Sequence, residues 1–457
     1  MSRADAALTE ILAAAAFDAA NEAAITGADP IFPTPYRIAT AGASSLAATG
    51  LAAAQLWQSR GGRPQRVCVD AAGAAASLRS AVYMQIDGKP MPAPWDPLSG
   101  FYPVKDGWIS IHCNFPNHRD AAYRVLGAGH DRQAGEAKSA AWSGVALEDA
   151  IHAAGGCAGF VRAEADWLRH PQALAVAAQP LLSIQRIGDA PAEKLAAAAR
   201  PLDGVRVLDL TRVLAGPTCA KTLAAHGADV LKISAAHLPD SGLVELDTGI
   251  GKLSAFLDLR EAADKLRDLA SHSDIFSQSY RPGALGRHGF SPQALARLRP
   301  GIICVSLSAW GPTGPWAQRR GFDSIVQAVS GMAMAAPEDG KPKLLPVSAI
   351  DYVSGYLMAF GAMAALERRA REGGSWLVRV ALARVGKWIV DRGLEPEGAW
   401  RAAARDLPDA VLAPLMHEVD TPSGRIRHLG PVVRLEATPP YWSRPPAPPG
   451  AHPAAWP

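Results

Sequence analysis

Residues 201–233 read PLDGVRVLDLTRVLAGPTCAKTLAAHGADVLKI. Within them GVRVLDL (204–210) is a continuous apolar, β-branched run of the kind that fills a strand buried on both faces. TRVLAGPTCAKTLAAHGA then reads as a loop and a helix, and DVLKI (229–233) as a second strand. Strand, helix and strand at this spacing predict a right-handed βαβ unit, the seed of a parallel sheet. The turn Arg212-Val213-Leu214-Ala215-Gly216-Pro217 lacks the three-glycine spacing of a dinucleotide fingerprint, which disfavours an NAD or FAD dehydrogenase. Pro217 suits a first helical turn and leaves N–H groups that could hold a phosphate or a thioester oxygen. A plain helix start without a ligand is the commoner case.

The alternation continues downstream. SAFLDL (254–259), a helix over 261–271, DIFSQSY (274–280), a helix over 292–298 and GIICVSLS (301–308) extend the pattern to a doubly wound α/β domain. Upstream, residues 1–80 are Ala-rich and helical, and WDPLSGFYPVKDGWISIHCNF (95–115) predicts a hairpin around Lys105-Asp106-Gly107. SIQRIGDAP (183–191) reads as a connecting strand and loop, and AEKLAAAARP (192–201) as a linker. The last residues, TPPYWSRPPAPPGAHPAAWP (438–457), predict an extended surface run. FPTPYRIATAGASSLAATGLAAAQLWQSRGGRPQRVCV (32–69) parallels LPVSAIDYVSGYLMAFGAMAALERRAREGGSWLVRV (345–380): a Pro-containing lead-in, an apolar helix, a Gly-Gly turn and a strand. This suggests an internal duplication.

Composition narrows the function. The 457 residues are 49% hydrophobic and 19% charged, which fits a globular protein of two or three domains. A net charge of +3 argues against nucleic-acid binding through phosphate neutralisation. The five cysteines, Cys68, Cys113, Cys157, Cys219 and Cys304, are widely spaced and form no Cys-x-x-Cys pair, as in reduced cytosolic proteins. The N-terminus is broken by Asp5, Glu10 and Asp18 and does not read as a signal peptide, and the longest apolar stretch, 353–366, is short for a bilayer. A cytoplasmic protein with no membrane partner is the expectation. His112 and His118 in HCNFPNH lack the further ligands a metal site needs. Asp351 precedes the apolar run VSGYLMAFGAMAALERR. It reads either as a helix N-cap or as a carboxylate kept ionised by the helix dipole and able to act as a nucleophile. The local sequence leaves both open.

Several motifs in order resemble family III CoA-transferases, the group that includes carnitine CoA-transferase, formyl-CoA transferase and α-methylacyl-CoA racemase. They are 201–233, DTGIGKLSAFLDLR (247–260), SDIFSQSYRPGALGRHGFSPQALARLRPGIICVSLSAWGPTGPW (273–316), GFDSIVQAVSGMA (321–333) and AIDYVSGYLMAFGAMAALERR (349–369). FYPVKDGWISIHCNFPNH (101–118) and FVRAEADWLRHPQ (160–172) resemble the family's smaller domain, here placed before the larger one. The resemblance implies three parts: an N-terminal half (1–200) without a nucleotide-binding domain, a Rossmann-like domain (201–380) and a Pro-rich extension (381–457) packing on the core. The fold class is thus α/β, a Rossmann-like parallel sheet plus a smaller α+β domain.

The resemblance also implies an enzyme moving CoA from an acyl-CoA to a carboxylic acid, with Asp351 as the catalytic carboxylate that carries an aspartyl-CoA thioester. The matching position in the first repeat is about Thr40. Coenzyme A and its acyl esters would be substrates, with no resident cofactor, and free carboxylates the second partner. Val213, Leu214, Ala215, Gly216 and Tyr280 are candidates for the CoA site, with Lys252, Arg281 and Arg287 as candidate phosphate contacts or plain surface charges. Known members are interlocked dimers; a duplicated chain supplies both sides of the site itself, or still forms a homodimer. Phe322 in Gly321-Phe322-Asp323 replaces the histidine that racemases of the family carry. Leu214 replaces a glutamine of some transferases, and Ser234-Ala235-Ala236 replaces the charged residues usual after the second strand. An acyl-CoA isomerase or racemase, and a non-catalytic CoA-binding paralogue, are the alternatives.

Overall fold

In the computed structural model, residues 2–92, 95–238 and 242–457 are described. Its centre is a seven-stranded sheet built from β1 (Leu182–Gly188), β2 (Arg206–Leu210), β3 (Asp229–Ser234), β4 (Lys252–Phe256), β5 (Ile275–Gln278), β6 (Ile303–Ser308) and β7 (Ser375–Ala381). The spatial order is β4-β3-β2-β5-β6-β7-β1. All neighbours pair in parallel except β1, which runs antiparallel to β7. The βαβ unit expected over 204–233 is therefore present, with its crossover helix α2 at Ala215–Ala225, and helix α3 (Pro292–Leu298) lies between β5 and β6 in the chain. The chain runs outward from β2 to β4, then returns to place β5 on the other side of β2. That reversal opens a crevice at the carboxyl ends of β2 and β5, where open α/β sheets bind ligands.

Two long helices form the rest of the core. Helix α1 (Ile38–Ser59) and helix α4 (Ala349–Glu372) pack on each other, and α4 also packs on α2. Gly355 makes the α4–α2 approach close: a Cβ there would lie 2.6 Å from the carbonyl oxygen of Ala215. Helix α4 extends beyond the apolar stretch seen in the sequence. Its length and composition would suffice to cross a bilayer, yet its apolar window is wholly buried inside the protein. A core helix meets the same test.

The two long helices begin alike. Their caps, Arg37 and Ser348, share nearly the same backbone angles (φ −80°, ψ 64° and φ −86°, ψ 61°), and neither cap side chain bonds the helix. A carboxylate from earlier in the chain does so instead, from a loop in the first case and from the first turn of helix Asp323–Val329 in the second. Asp29 accepts from the N–H groups of Ala39 and Thr40, and Asp323 from those of Ile350 and Asp351. Thr40 thus stands at the position of Asp351, third residue of its helix, as the paired sequence stretches imply.

Elements from the first 200 residues and from the C-terminal end interleave. Strand β1 completes the edge of the main sheet. Hairpin strands Gly100–Val104 and Gly107–Ile111 turn at Lys105 and Asp106 and form a small sheet with Ala158–Phe160. Strands Met416–Thr421 and Gly424–Leu429 lie within the expected Pro-rich extension and pair with each other, Gly424–Leu429 also pairs with Gln85–Ile86, and Val433–Leu435 pairs with Val67–Asp70. The final residues run along edge strand β4: the His452 amide donates to the Ser254 carbonyl at 2.8 Å, and Trp456 Nε1 donates to the Leu269 carbonyl at 3.1 Å. They cover a row of backbone groups that an open sheet edge would leave unpaired.

Candidate active site

The crevice at the carboxyl ends of the strands is a cleft of about 920 Å³. The loop after β2 supplies Arg212, Val213, Leu214 and Ala215; that after β5 supplies Ser279, Tyr280 and Arg281; and that after β6 leads to Arg319 and Arg320. The opposite wall, Phe115 to His118, comes from the N-terminal half. Both walls therefore belong to one chain.

Cations dominate this cleft. Burial lowers the pKa of Arg212, and burial with Arg320 and Arg287 nearby lowers that of Arg281. His118 feels the same field: burial first, then Arg320, Arg212 and Arg281, push its imidazole down to about 4. It is neutral at physiological pH and its Nδ1 is buried without a partner. A concave site with this excess of positive charge is suited to polyanionic groups such as phosphates.

Asp351 lines this cleft and also a second, smaller cavity of about 320 Å³. It lies in the first turn of α4, not before it, and is 8% exposed. The sequence leaves open a helix N-cap or a carboxylate kept ionised by the helix terminus; the cap is Ser348, and the surroundings of Asp351 disfavour its ionised form. Burial and the charge of Asp323 raise the Asp351 pKa well above the usual carboxylate range. Asp323 occupies the terminus instead, accepting from the Asp351 amide at 3.0 Å and from the Gln327 side chain. Its own pKa rises to about 6, because burial outweighs those hydrogen bonds. Two buried carboxylates in one site cannot ionise independently.

Of the other residues singled out in the sequence, Val213, Leu214, Ala215, Tyr280 and Arg281 line the cleft. Val213 also has φ +68°, a strained conformation for a β-branched residue. Gly216 does not line it and serves packing: a Cβ there would lie 2.4 Å from the Thr211 side chain. Lys252 is not on the cleft wall. It is 2% exposed, and its Nζ donates to Asp209 Oδ2 at 2.9 Å and to the Pro217 carbonyl at 2.8 Å, so it ties the end of β2 to the start of α2. A cation committed to a buried ion pair is not free to meet a phosphate. Arg287 is exposed, outside the lining but close enough to Arg281 to influence it. Ala236, from the Ser234-Ala235-Ala236 departure, lines the cleft.

Residues the sequence did not mark also converge here. Arg212 and Arg320 lie in quoted or adjacent stretches, but nothing in their spacing joins them. Phe322 stacks face to face on His112, with centroids 3.8 Å apart, and so closes the wall between the two cavities. Among the described residues no group of three or more His, Cys, Asp and Glu is placed to hold a metal.

Parts of the chain are similar to known proteins. Over 214 residues the chain is 35% identical to an acetyl-coenzyme A transferase of Hypoxylon pulicicidum, matching 44% of this chain and 36% of that protein. It is 34% identical over 200 residues to a probable fatty acyl-CoA transferase of Mycobacterium tuberculosis, matching 40% and 51%. With the succinyl-CoA:glutarate CoA-transferase of Mus musculus it shares 35% identity over 190 residues, matching 38% and 43%. The chain thus spans about half the length of these curated relatives, or less. A crystal structure of the Mycobacterium tuberculosis protein superposes with a TM-score of 0.40 at 34% identity, over 42% of this chain and 58% of that one. The model of CoA-transferase family III matches residues 16–198 and 202–404, on both sides of the expected linker. With more than half of its length matched by that model, the chain belongs to CoA-transferase family III.

Proposed function

We propose that the chain transfers CoA from an acyl-CoA to a free carboxylic acid through a thioester on Asp351. One observation carries this reading: the Asp351 carboxyl borders both the cationic cleft and the smaller cavity behind it. The CoA phosphates would occupy the cleft, beside Arg212, Arg281 and Arg320, with the acyl group reaching the cavity.

The ionised Asp351 attacks the thioester carbonyl and the C–S bond breaks, giving a mixed anhydride and CoA thiolate. The thiolate then attacks the aspartyl carbonyl, and the donor acid leaves as its carboxylate. The acceptor carboxylate attacks the resulting aspartyl-CoA thioester and releases the thiolate. The thiolate next attacks the acceptor's carbonyl, giving the new acyl-CoA and free Asp351. No net proton is consumed. A desolvated carboxylate with a raised pKa is a stronger nucleophile once ionised, and the fixed geometry lowers the entropic cost of attack. The Asp351 amide is already bonded to Asp323, so it does not serve as an oxyanion donor. Both walls lie in one chain, so the proposal requires one complete site per chain, whether or not chains pair.

The test is CoA exchange from acyl-CoA donors to a panel of acids, read by mass spectrometry. Exchange that is abolished by Asp351→Ala is expected; exchange that survives it removes the assignment. One observation favours a second reading as an isomerase. Neutral imidazoles, His118 in the cleft and His112 in the cavity, flank Asp351 and could take an α-proton. Deuterium incorporation at the α-carbon without any acceptor acid would support it.

A further inference from the structure

We infer that the cavity behind Asp351 selects acids that carry a second carboxylate, and that Arg79 is the residue that reads it. This deepens the transfer reading above and rests on it. The cavity is lined largely by apolar side chains, including Val82, Trp95, Val244, Leu344 and Leu345. Its charged lining residues are Asp323 and Asp351 from the second half of the chain, and Arg79 from the first.

Arg79 is held but not satisfied. Its Nη1 donates to the Arg405 carbonyl at 3.1 Å. Its Nη2 lies 3.9 Å from Asp406 Oδ2, a residue whose side chain is 54% exposed and whose other oxygen already accepts from Tyr83 and from the Leu407 amide. The Nε–H is buried with no partner. The guanidinium sits over the rings of Phe32 and Tyr83, at 5.2 and 5.3 Å, which fixes its plane. A permanently charged fork whose Nη2 is held only by a 3.9 Å contact to Asp406 matches a carboxylate, which accepts charge-assisted hydrogen bonds from a guanidinium.

A neighbouring cavity of about 280 Å³ shares Arg79, Leu344, Leu345 and Pro346 with the first, and adds Lys343 and Arg405. Arg79 therefore stands where two cavities adjoin, on a route with cationic walls that is distinct from the CoA cleft. An acid with one carboxyl at Asp351 can place a second at Arg79. A monoacid of the same length would set its methyl end against a cation that has only a long contact to Asp406.

The experiment uses the full chain with one acyl-CoA donor and matched pairs of acceptors: malonate with propionate, succinate with butyrate, glutarate with valerate and adipate with hexanoate. For at least one pair, kcat/KM for the diacid should exceed that for the monoacid by about tenfold or more. In Arg79→Met that ratio should collapse toward one, with the change carried by KM. A ratio near one for every pair in the unaltered chain overturns the inference, and so does an unchanged ratio in Arg79→Met. If Arg79→Met does not fold, the unaltered chain's ratios still decide, and Arg79→Lys should give an intermediate ratio. If no acid accepts CoA, the transfer reading fails, and calorimetry of the same pairs then judges selection separately. Binding of the diacid alone upholds it; equal binding, or none, overturns it.

Discussion

Replacing Asp323 with asparagine should make the protein more stable at neutral pH, although it removes a helix cap. Asp323 is buried, and its pKa rises from 3.8 to about 6. Holding it ionised well above that pH costs about 3 kcal/mol, at about 1.4 kcal/mol per pH unit. Its negative charge also raises Asp351, so the variant relieves both carboxyls. Against this, an amide is a weaker acceptor for the Ile350 and Asp351 N–H groups, a loss of about 1 kcal/mol. The net gain at pH 7.5 is roughly 2 kcal/mol. A carboxyl whose folded pKa is raised contributes stability that is fully present below pH 3.8 and is lost as pH rises through about 6. The variant's advantage should therefore shrink as pH falls through 6 and reverse near pH 4. Urea unfolding midpoints of both proteins from pH 4 to pH 8 measure this. A difference that does not change with pH, or one that grows on acidification, would refute the carboxylate-pair account. The same substitution should move the acid limb of CoA exchange to lower pH, because Asp351 ionises more easily without its neighbour's charge.

Three further substitutions separate support from contact. Lys252→Met leaves Asp209 buried and unpaired and should cost roughly 3–5 kcal/mol of stability; an unchanged melting temperature with a raised KM for acyl-CoA would instead put this lysine on a phosphate. Arg320→Gln should raise KM for acyl-CoA roughly tenfold at low salt, and less at high salt, in steady-state assays, and an unchanged KM would remove it from the cofactor wall. Gly355→Ala should force α4 away from α2 against the Ala215 carbonyl, costing roughly 1–3 kcal/mol and lowering kcat, since Asp351 lies one turn upstream on the same helix. Wild-type melting behaviour would contradict the close approach.

Much of the sheet was legible because a parallel strand buried on both faces writes itself as a continuous apolar run, as in GVRVLDL and GIICVSLS. The strands Met416–Thr421 and Gly424–Leu429 were hidden for the opposite reason. They are polar and partly exposed, they pair with each other, and of the two only Gly424–Leu429 pairs with residues more than three hundred positions earlier. That an apolar helix follows Asp351 could be read, although the residue lies in its first turn and not before it. The charge state of Asp351 could not, because Asp323 comes from another helix, 28 residues away. Lys252 shows the same limit: a sequence gives the charge, but only the fold shows that Asp209 has already taken it. Arg79 carries no local signal at all, since its meaning comes from a cavity assembled with the second half of the chain.

The most direct measurement is mass spectrometry of the peptide containing residue 351, after incubation with acyl-CoA and quenching with hydroxylamine. A hydroxamate on Asp351 that depends on acyl-CoA, and that disappears when free acceptor acid discharges the intermediate, is the predicted result. An unmodified Asp351 while CoA exchange proceeds would contradict the covalent role assigned to this carboxyl.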